Sequence, residues 1–339
     1  MKKKVTFILR LTAAIVTISA ILIFSPWQEA LYSLSPLPAT VQEQVDDAVD
    51  QGIDGIIVYI QKAENAPELY ASGWHDREAL RPASPNALFK IASIGKLYKA
   101  SATAKLVASG ELALDETLAH YLPDLAARIA YADEITLRML VQHRSGIPNF
   151  TDHKDFDWAT QSLDALDMVL DSPADFKPDS DYRYSNTNYL LLGKIMDSVL
   201  GYDHTQYIQA QILDPLNLTQ TFFSVNDVDL DRLMSGYHIG HETDFKTLEQ
   251  GYVATAQDVG IFLRALNDGT LFTDTEQALY SSLYEYEHTG WVLGHSSRAH
   301  YFKDIDTVVI QFVNTTGDDT IILTKIIYDR IIKILKKRS

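Results

Sequence analysis

Phe89-Lys90-Ile91-Ala92-Ser93-Ile94-Gly95-Lys96-Leu97-Tyr98-Lys99-Ala100 puts a serine at a predicted helix start and a lysine one turn later. Residues three apart on a helix share a face, so the Ser93 hydroxyl and the Lys96 amine can meet. A serine alcohol is a poor nucleophile until a neighbouring base takes its proton. The first N–H groups of a helix lack intrahelical partners and sit at its positive end, where an oxyanion would be stabilised. A Ser-x-x-Lys spacing nevertheless arises by chance about once in a chain of this length. A serine at a helix start is also more often an N-cap than a nucleophile, so the pairing needs support from elsewhere in the chain.

Working outward, the 339 residues, 46% of them hydrophobic, suffice for one large domain or two small ones. Nine of the 29 Lys and Arg residues lie within 2–10 and 330–338, leaving 20 in between against 45 Asp and Glu. An acidic body of this kind repels nucleic acid, which needs Lys and Arg to displace its counterions. There is no cysteine, which excludes disulfides, thiolate metal sites and a cysteine nucleophile. Lys2 to Lys4 precede the apolar run Leu11 to Phe24, the pattern of an export signal. The 23 residues from Val5 to Trp27 are long enough to span a bilayer. A retained single-pass anchor in the inner membrane is therefore expected, with cleavage as the alternative and the chain from about residue 30 exported to the periplasm.

After a linker ending at 36, a helix is predicted over Val41–Val49, then a hairpin of strands at 55–60 and 68–73. Helical pieces are predicted at Thr136–Gln142, Leu163–Leu170, Thr187–Val199 and Tyr207–Leu213, followed by a polar excursion over 224–250 bordering a cleft. Helices at Thr255–Leu266 and Asp274–Ser281 come next, then strands at 284–292, 299–302 and 307–313 and an amphipathic helix over Thr320–Lys337. Strands at both ends of a helical insert imply an α+β fold, an antiparallel sheet flanked by helices with a helical subdomain alongside. The boundaries expected are 37–339 for the whole domain, with the sheet part at about 40–90 and 250–339 and the helical part at about 91–249.

Three further stretches bear on the serine. Tyr184 and Asn186 sit in the turn of Tyr182-Arg183-Tyr184-Ser185-Asn186-Thr187, His288-Thr289-Gly290-Trp291 lies on a predicted strand, and Leu140-Val141-Gln142-His143-Arg144-Ser145-Gly146 ends a helix. Each has a plain alternative: a core aromatic for Tyr184, a turn former or cap for Asn186. His238 with His241, or His295 with His300, would be weak metal ligands without a His-Glu-x-x-His pattern.

Taken together and in order, Ser93-x-x-Lys96, Tyr184-x-Asn186 and His288-Thr289-Gly290 resemble the motifs of the serine beta-lactamase and penicillin-binding protein superfamily, for which Ser-x-x-Lys is a recognised signature. The likeness is to its class C-like branch, with D-alanyl-D-alanine carboxypeptidases and related esterases. The His143–Gly146 run, Asp214-Pro215-Leu216 and Val253–Asp258 look like further landmarks of that branch, so the resemblance covers about residues 40–337. It implies a serine hydrolase working through an acyl-enzyme on a small peptide, ester or peptidoglycan-derived substrate, with no cofactor and no metal. Ser93, Lys96 and Tyr184 would be catalytic; Asn186, His288, Thr289, Gly290 and Trp291 would bind substrate, the Ser93 and Trp291 N–H groups holding the oxyanion.

For Lys96 to act as base near neutral pH, its pKa has to fall about three units, roughly 4 kcal/mol against the charged form. A tyrosinate at 184 sharing the proton is the other route, and the sequence leaves the choice open. His288 stands where most beta-lactamases carry lysine, and a mostly neutral histidine anchors a substrate carboxylate less well. The alternatives to a peptidase or esterase are a beta-lactamase, an acylated sensor that does not turn over, and a catalytically dead envelope protein.

Overall fold

The computed structural model describes residues 2–24, 27–159, 165–249, 251–318 and 320–338. Its centre is a six-stranded antiparallel sheet whose strands run, edge to edge, 81–82, 68–76, 55–62, 307–313, 295–302 and 288–292. The two middle strands, Gly55–Lys62 and Thr307–Val313, come from opposite ends of the chain and pair from Ile56 with Val313 to Lys62 with Thr307. Both are almost wholly buried. Such apolar runs cannot face water on either side, so each face of the sheet is covered by helix.

On one face lie the helices Val41–Asp50 and Thr320–Arg338, which close a core with Ile56, Val58, Val309 and Val313. Thr40 and Glu43 form a reciprocal capping box at the start of the first. Arg330, nearly inaccessible, stitches this layer together by donating to Gln44 Oε1 and to the carbonyls of Tyr32, Ser35 and Pro36. The other face packs on Ala256–Asp268 and, beyond it, on the helices Gly95–Ala108 and Asn186–Leu200. The α+β architecture with a helical layer is as expected.

Several local expectations change. The helix expected at 163–170 falls partly outside the described residues, and 165–171 form turns instead. Just past the expected helix, Asp171 takes φ 62° and donates its N–H to the Arg128 carbonyl, which ends any helical run there. The last segment of the insert is a helix at His204–Ile208 continued by a π turn at Gln209–Leu213. The strand expected at 284–292 starts only at His288, and the one expected at 299 starts at His295. Among the described residues, no helix is long and apolar enough to cross a membrane; the expected anchor over 5–27 finds no support in the helix Lys2–Phe24.

Candidate active site

A short strand, Phe89–Lys90, pairs antiparallel with Val253–Ala254, and the Ile91 N–H donates to the Tyr252 carbonyl at 2.9 Å. The chain then turns sharply: Ala92 adopts φ 51°, a left-handed conformation unfavourable for a residue with a Cβ. Ser93 consequently lies in a 3₁₀ turn, Ala92–Ile94, and the α-helix begins at Gly95. No side chain caps this helix start, so the Ser93 hydroxyl is not spent as an N-cap.

It is directed into a polar cluster instead. Lys96 Nζ lies 3.1 Å from Ser93 Oγ, and the Tyr184 hydroxyl donates to the same oxygen at 2.9 Å. Lys96 also donates to Asn186 Oδ1 at 2.7 Å, and its Nζ sits 4.9 Å from the centre of the Tyr184 ring. Four of the predicted residues, Ser93, Lys96, Tyr184 and Asn186, thus meet although up to 93 positions separate them.

Electrostatics distinguishes the two candidate bases. Burial, helped by the positive charge of Lys99, brings the Lys96 ammonium down from 10.5 to about 7. Burial raises the Tyr184 phenol to about 12 against the opposing hydrogen bond with Ser93. Near neutral pH a tyrosinate is therefore scarce, while roughly half the Lys96 side chains are free amines.

The strand motif divides into parts. Gly290 is a packing requirement: a Cβ there would fall on the Ile91 carbonyl oxygen and on Ser297 Oγ. Ser297 donates to that same carbonyl at 3.0 Å, so the strand His288–Val292 lies flat against the turn that carries Ser93. Trp291 lines the cleft and meets Trp158 edge-on at 5.5 Å. His288 lies behind Tyr184, its Nε2 3.0 Å from the Tyr284 hydroxyl, and lines a hollow with His143, Tyr182, Tyr184 and Tyr284. Burial pushes its imidazolium down to about 4, so it is neutral at pH 7. Thr289 is exposed, paired with Arg298 in the sheet.

Asn149 and Thr151 were not foreseen. Asn149 Oδ1 accepts from the backbone N–H of Asn186 at 3.0 Å and from its side-chain Nδ2 at 3.3 Å, which turns the Asn186 oxygen toward Lys96. Thr151 Oγ1 accepts from the same Nδ2 at 3.4 Å. The His143 ring packs 4.4 Å from that of Tyr184, and its Nδ1 accepts the Ser185 N–H at 3.2 Å. That explains the His143–Gly146 run: it forms the wall that aims Tyr184. At Gly146, φ 77°, a Cβ would meet the Phe176 carbonyl.

The cleft at Ser93 encloses about 460 Å³, with Phe150, Phe156, Trp158, Tyr189, Tyr252 and Trp291 among its walls. Among the described residues, its lining lysines are Lys96 and Lys99, and its lining acids Asp157 and Glu249. Three members of the histidine pairs have polar partners of their own. His238 bonds Thr316 at 2.9 Å, His295 bonds the Met234 carbonyl at 3.0 Å, and His300 lies 3.2 Å from Glu287. Among the described residues, Asp197, Asp203 and His204 could bring three ligand atoms within 4.8 Å. The cation Lys99 already faces this group and disfavours protonated His204; it would oppose a metal ion in the same way.

The model of the beta-lactamase family matches residues 38–294. A Staphylococcus aureus protein named flp is 27% identical over 210 residues, 60% of this chain and 42% of that one. An Escherichia coli K12 protein provisionally named as a D-alanyl-D-alanine carboxypeptidase is 32% identical over 181 residues, 50% of this chain and 41% of its own. The chain thus spans less than half the length of these curated relatives. Among solved structures, D-amino acid amidase from Ochrobactrum anthropi SV3 superposes with TM-score 0.76 at 23% identity, covering 88% of this chain and 98% of the other. A penicillin-binding protein from Bacillus halodurans gives 0.72 at 20% identity, covering 85% and 99%.

Proposed function

We propose, on the premise that the chain belongs to the beta-lactamase family and is a serine hydrolase, that it cleaves amides or esters with an apolar acyl group and no free carboxylate beside the scissile bond. The observation that carries this is the meeting of Ser93 with Lys96 and Tyr184 at 3.1 and 2.9 Å in a cleft walled by aromatic rings.

Neutral Lys96 accepts the Ser93 proton as Oγ attacks the carbonyl carbon, and the electron pair of the C=O moves onto its oxygen. The backbone N–H groups of Ser93 and Trp291 are the donors assigned to that oxyanion. Collapse expels the amine or alcohol, which takes a proton from the Tyr184 hydroxyl; Lys96 returns one to Tyr184. Water, deprotonated by the same pair, then attacks the ester and releases a carboxylic acid and free Ser93.

The substrate class follows from charge. A carboxylate next to the scissile bond would be held by a cation on the strand side of the cleft, and His288, beside Tyr184, is neutral. Glu249 at the cleft offsets the charge of Lys99, which stands on its helix side. This favours an amidase or esterase over a carboxypeptidase or an efficient beta-lactamase. We place the catalytic body outside the cytoplasmic membrane, on the basic run at 2–4 and the apolar run that follows; fractionation of cells expressing the full chain checks this.

The test compares the protein with Ser93→Ala against a fluorophosphonate, an aromatic D-amino acid amide, a short-chain ester, a D-Ala-D-Ala peptide and a penicillin, following intact mass and product. Turnover of the amide or ester that disappears in Ser93→Ala is expected. Faster turnover of the D-Ala-D-Ala peptide would overturn the substrate class, and adducts that never turn over would make the protein an acylated sensor.

A further inference from the structure

Resting on the hydrolase reading above, we propose that Lys99 is a positioning residue whose ammonium, one turn beyond Lys96, adds to burial in keeping Lys96 in its proton-accepting form. The two lysines share one face of the helix Gly95–Ala108 and line the same cleft. Both close on a single residue of the opposing helix Asn186–Leu200. Lys96 Nζ lies 5.6 Å from the centre of the Tyr189 ring, and Lys99 Nζ donates to the Tyr189 carbonyl at 3.3 Å.

The groups facing each amine make the pair unequal. Around Lys96 stand Ser93 from the turn, Asn186 and the Tyr184 and Tyr189 phenols from the opposing helix and its lead-in, and the His143 and His288 rings. Both rings are held neutral, His143 at about 3 and His288 at about 4. Among the described residues no carboxylate pairs with Lys96. Lys99 instead faces Asp197 on the opposing helix and Asp203 at the start of the next, with the His204 ring beside them. Burial lowers Lys99 to about 8 against the pull of these two acids.

Two like charges in one site cannot both be held easily, so the proton deficit falls on the partner without acids. That partner is Lys96, which touches Ser93. The strand motif does not supply the cation, because His288 is neutral; the charge comes from the helix side instead. Lys99 has no contact with Ser93, so it acts only through Lys96.

The experiment follows Ser93 acylation by a fluorophosphonate from about pH 5.5 to 9 in the full chain and in Lys99→Met, Lys99→Gln and Lys99→Arg. Wild type is expected to rise with a midpoint near 7. Both neutral variants should shift it upward by about one unit, a roughly tenfold loss at pH 6 that vanishes on the alkaline plateau. Arginine should hold the wild-type midpoint. An unmoved midpoint in the neutral variants, an equal shift in the arginine variant, or loss of reactivity at every pH in both neutral variants would each overturn the inference. A wild-type chain that never acylates would remove the hydrolase reading itself, and this one with it.

Discussion

Lys90 and Lys96 stand six residues apart, and burial brings both from 10.5 down to about 7, yet their amines meet different atoms. Lys90 Nζ donates to the carbonyls of Phe245 and Leu248, each at 2.7 Å, and so pins the segment that leads to Glu249. Lys96 Nζ meets a hydroxyl, an amide oxygen and the face of a phenol in an open cleft. A depressed pKa therefore does not by itself mark a base. What marks it is a nucleophile within proton-transfer reach in an open cleft, which Lys96 has in Ser93.

Exchanging each lysine for methionine tests that distinction most severely. Lys96→Met should lower kcat/KM roughly a thousandfold, because the proton acceptor for Ser93 is gone. Thermal unfolding should show the variant at least as stable as wild type, since the penalty for burying a charge goes too. Equal loss of activity in Lys90→Met, measured per folded molecule, would break the comparison.

Tyr184→Phe comes next, with an expected fall of about a hundredfold in kcat, the typical weight of one proton-transferring group. Its hydroxyl is held near 12 and so works as a donor to the leaving group. The acid limb of the pH profile, set by Lys96 near 7, should stay in place. A moved acid limb would reassign the base to the phenol.

Lys90→Met should preserve the chemistry and lose about 2 kcal/mol of stability in urea melts, the expected consequence of leaving two partly or fully buried carbonyls without their donor. The sign with pH can be worked out for both lysines. The folded pKa, about 7, lies below the unfolded value of 10.5. Between those values the unfolded chain binds more protons, so stability rises with pH across that window. The slope is at most about 1.4 kcal/mol per unit for each lysine. Each methionine variant should flatten the rise by its own share.

Much of this arrangement was legible in the sequence, for reasons that show where legibility ends. The largely apolar runs at 55–60 and 307–313 read as strands, and the structure makes them the buried middle pair; three short motifs in fixed order announced Ser93, Lys96, Tyr184 and Asn186. The start of the strand His295–Phe302 was hidden because its inward residues, His295 and Ser297, are polar; they bond Met234 and Ile91 rather than packing as hydrocarbons. The supposed helix at 163–170 had helical spacing at Leu166 and Leu170, but those side chains are buried from turns closed by the Arg128 carbonyl. His288 fell into the motif by position, while its environment, with Tyr284 and Tyr184 as ring neighbours, keeps it buried and neutral. Asn149 left no signal, because it acts on Asn186 across 37 residues through a single amide oxygen.

That amide provides the finest test of why Lys96 differs from Lys90. By accepting both N–H groups of Asn186, Asn149 leaves the Asn186 oxygen as the group presented to Lys96. In Asn149→Ala the Asn186 Nδ2 keeps only Thr151 as acceptor and can rotate toward the amine. An N–H donor there competes with Ser93 for the lone pair of neutral Lys96, so the base is partly occupied when the serine needs it. The expected result is a fall of about tenfold in kcat at saturating ester, equivalent to about 1.4 kcal/mol. KM should be nearly unchanged and the melting temperature should move by only a few degrees. Asn149→Gln, which can restore the acceptor, should recover part of the rate. A rise in KM with kcat intact would mean that Asn186 serves the substrate rather than the lysine, and the contrast between the two amines would then rest on Ser93 and Tyr184 alone.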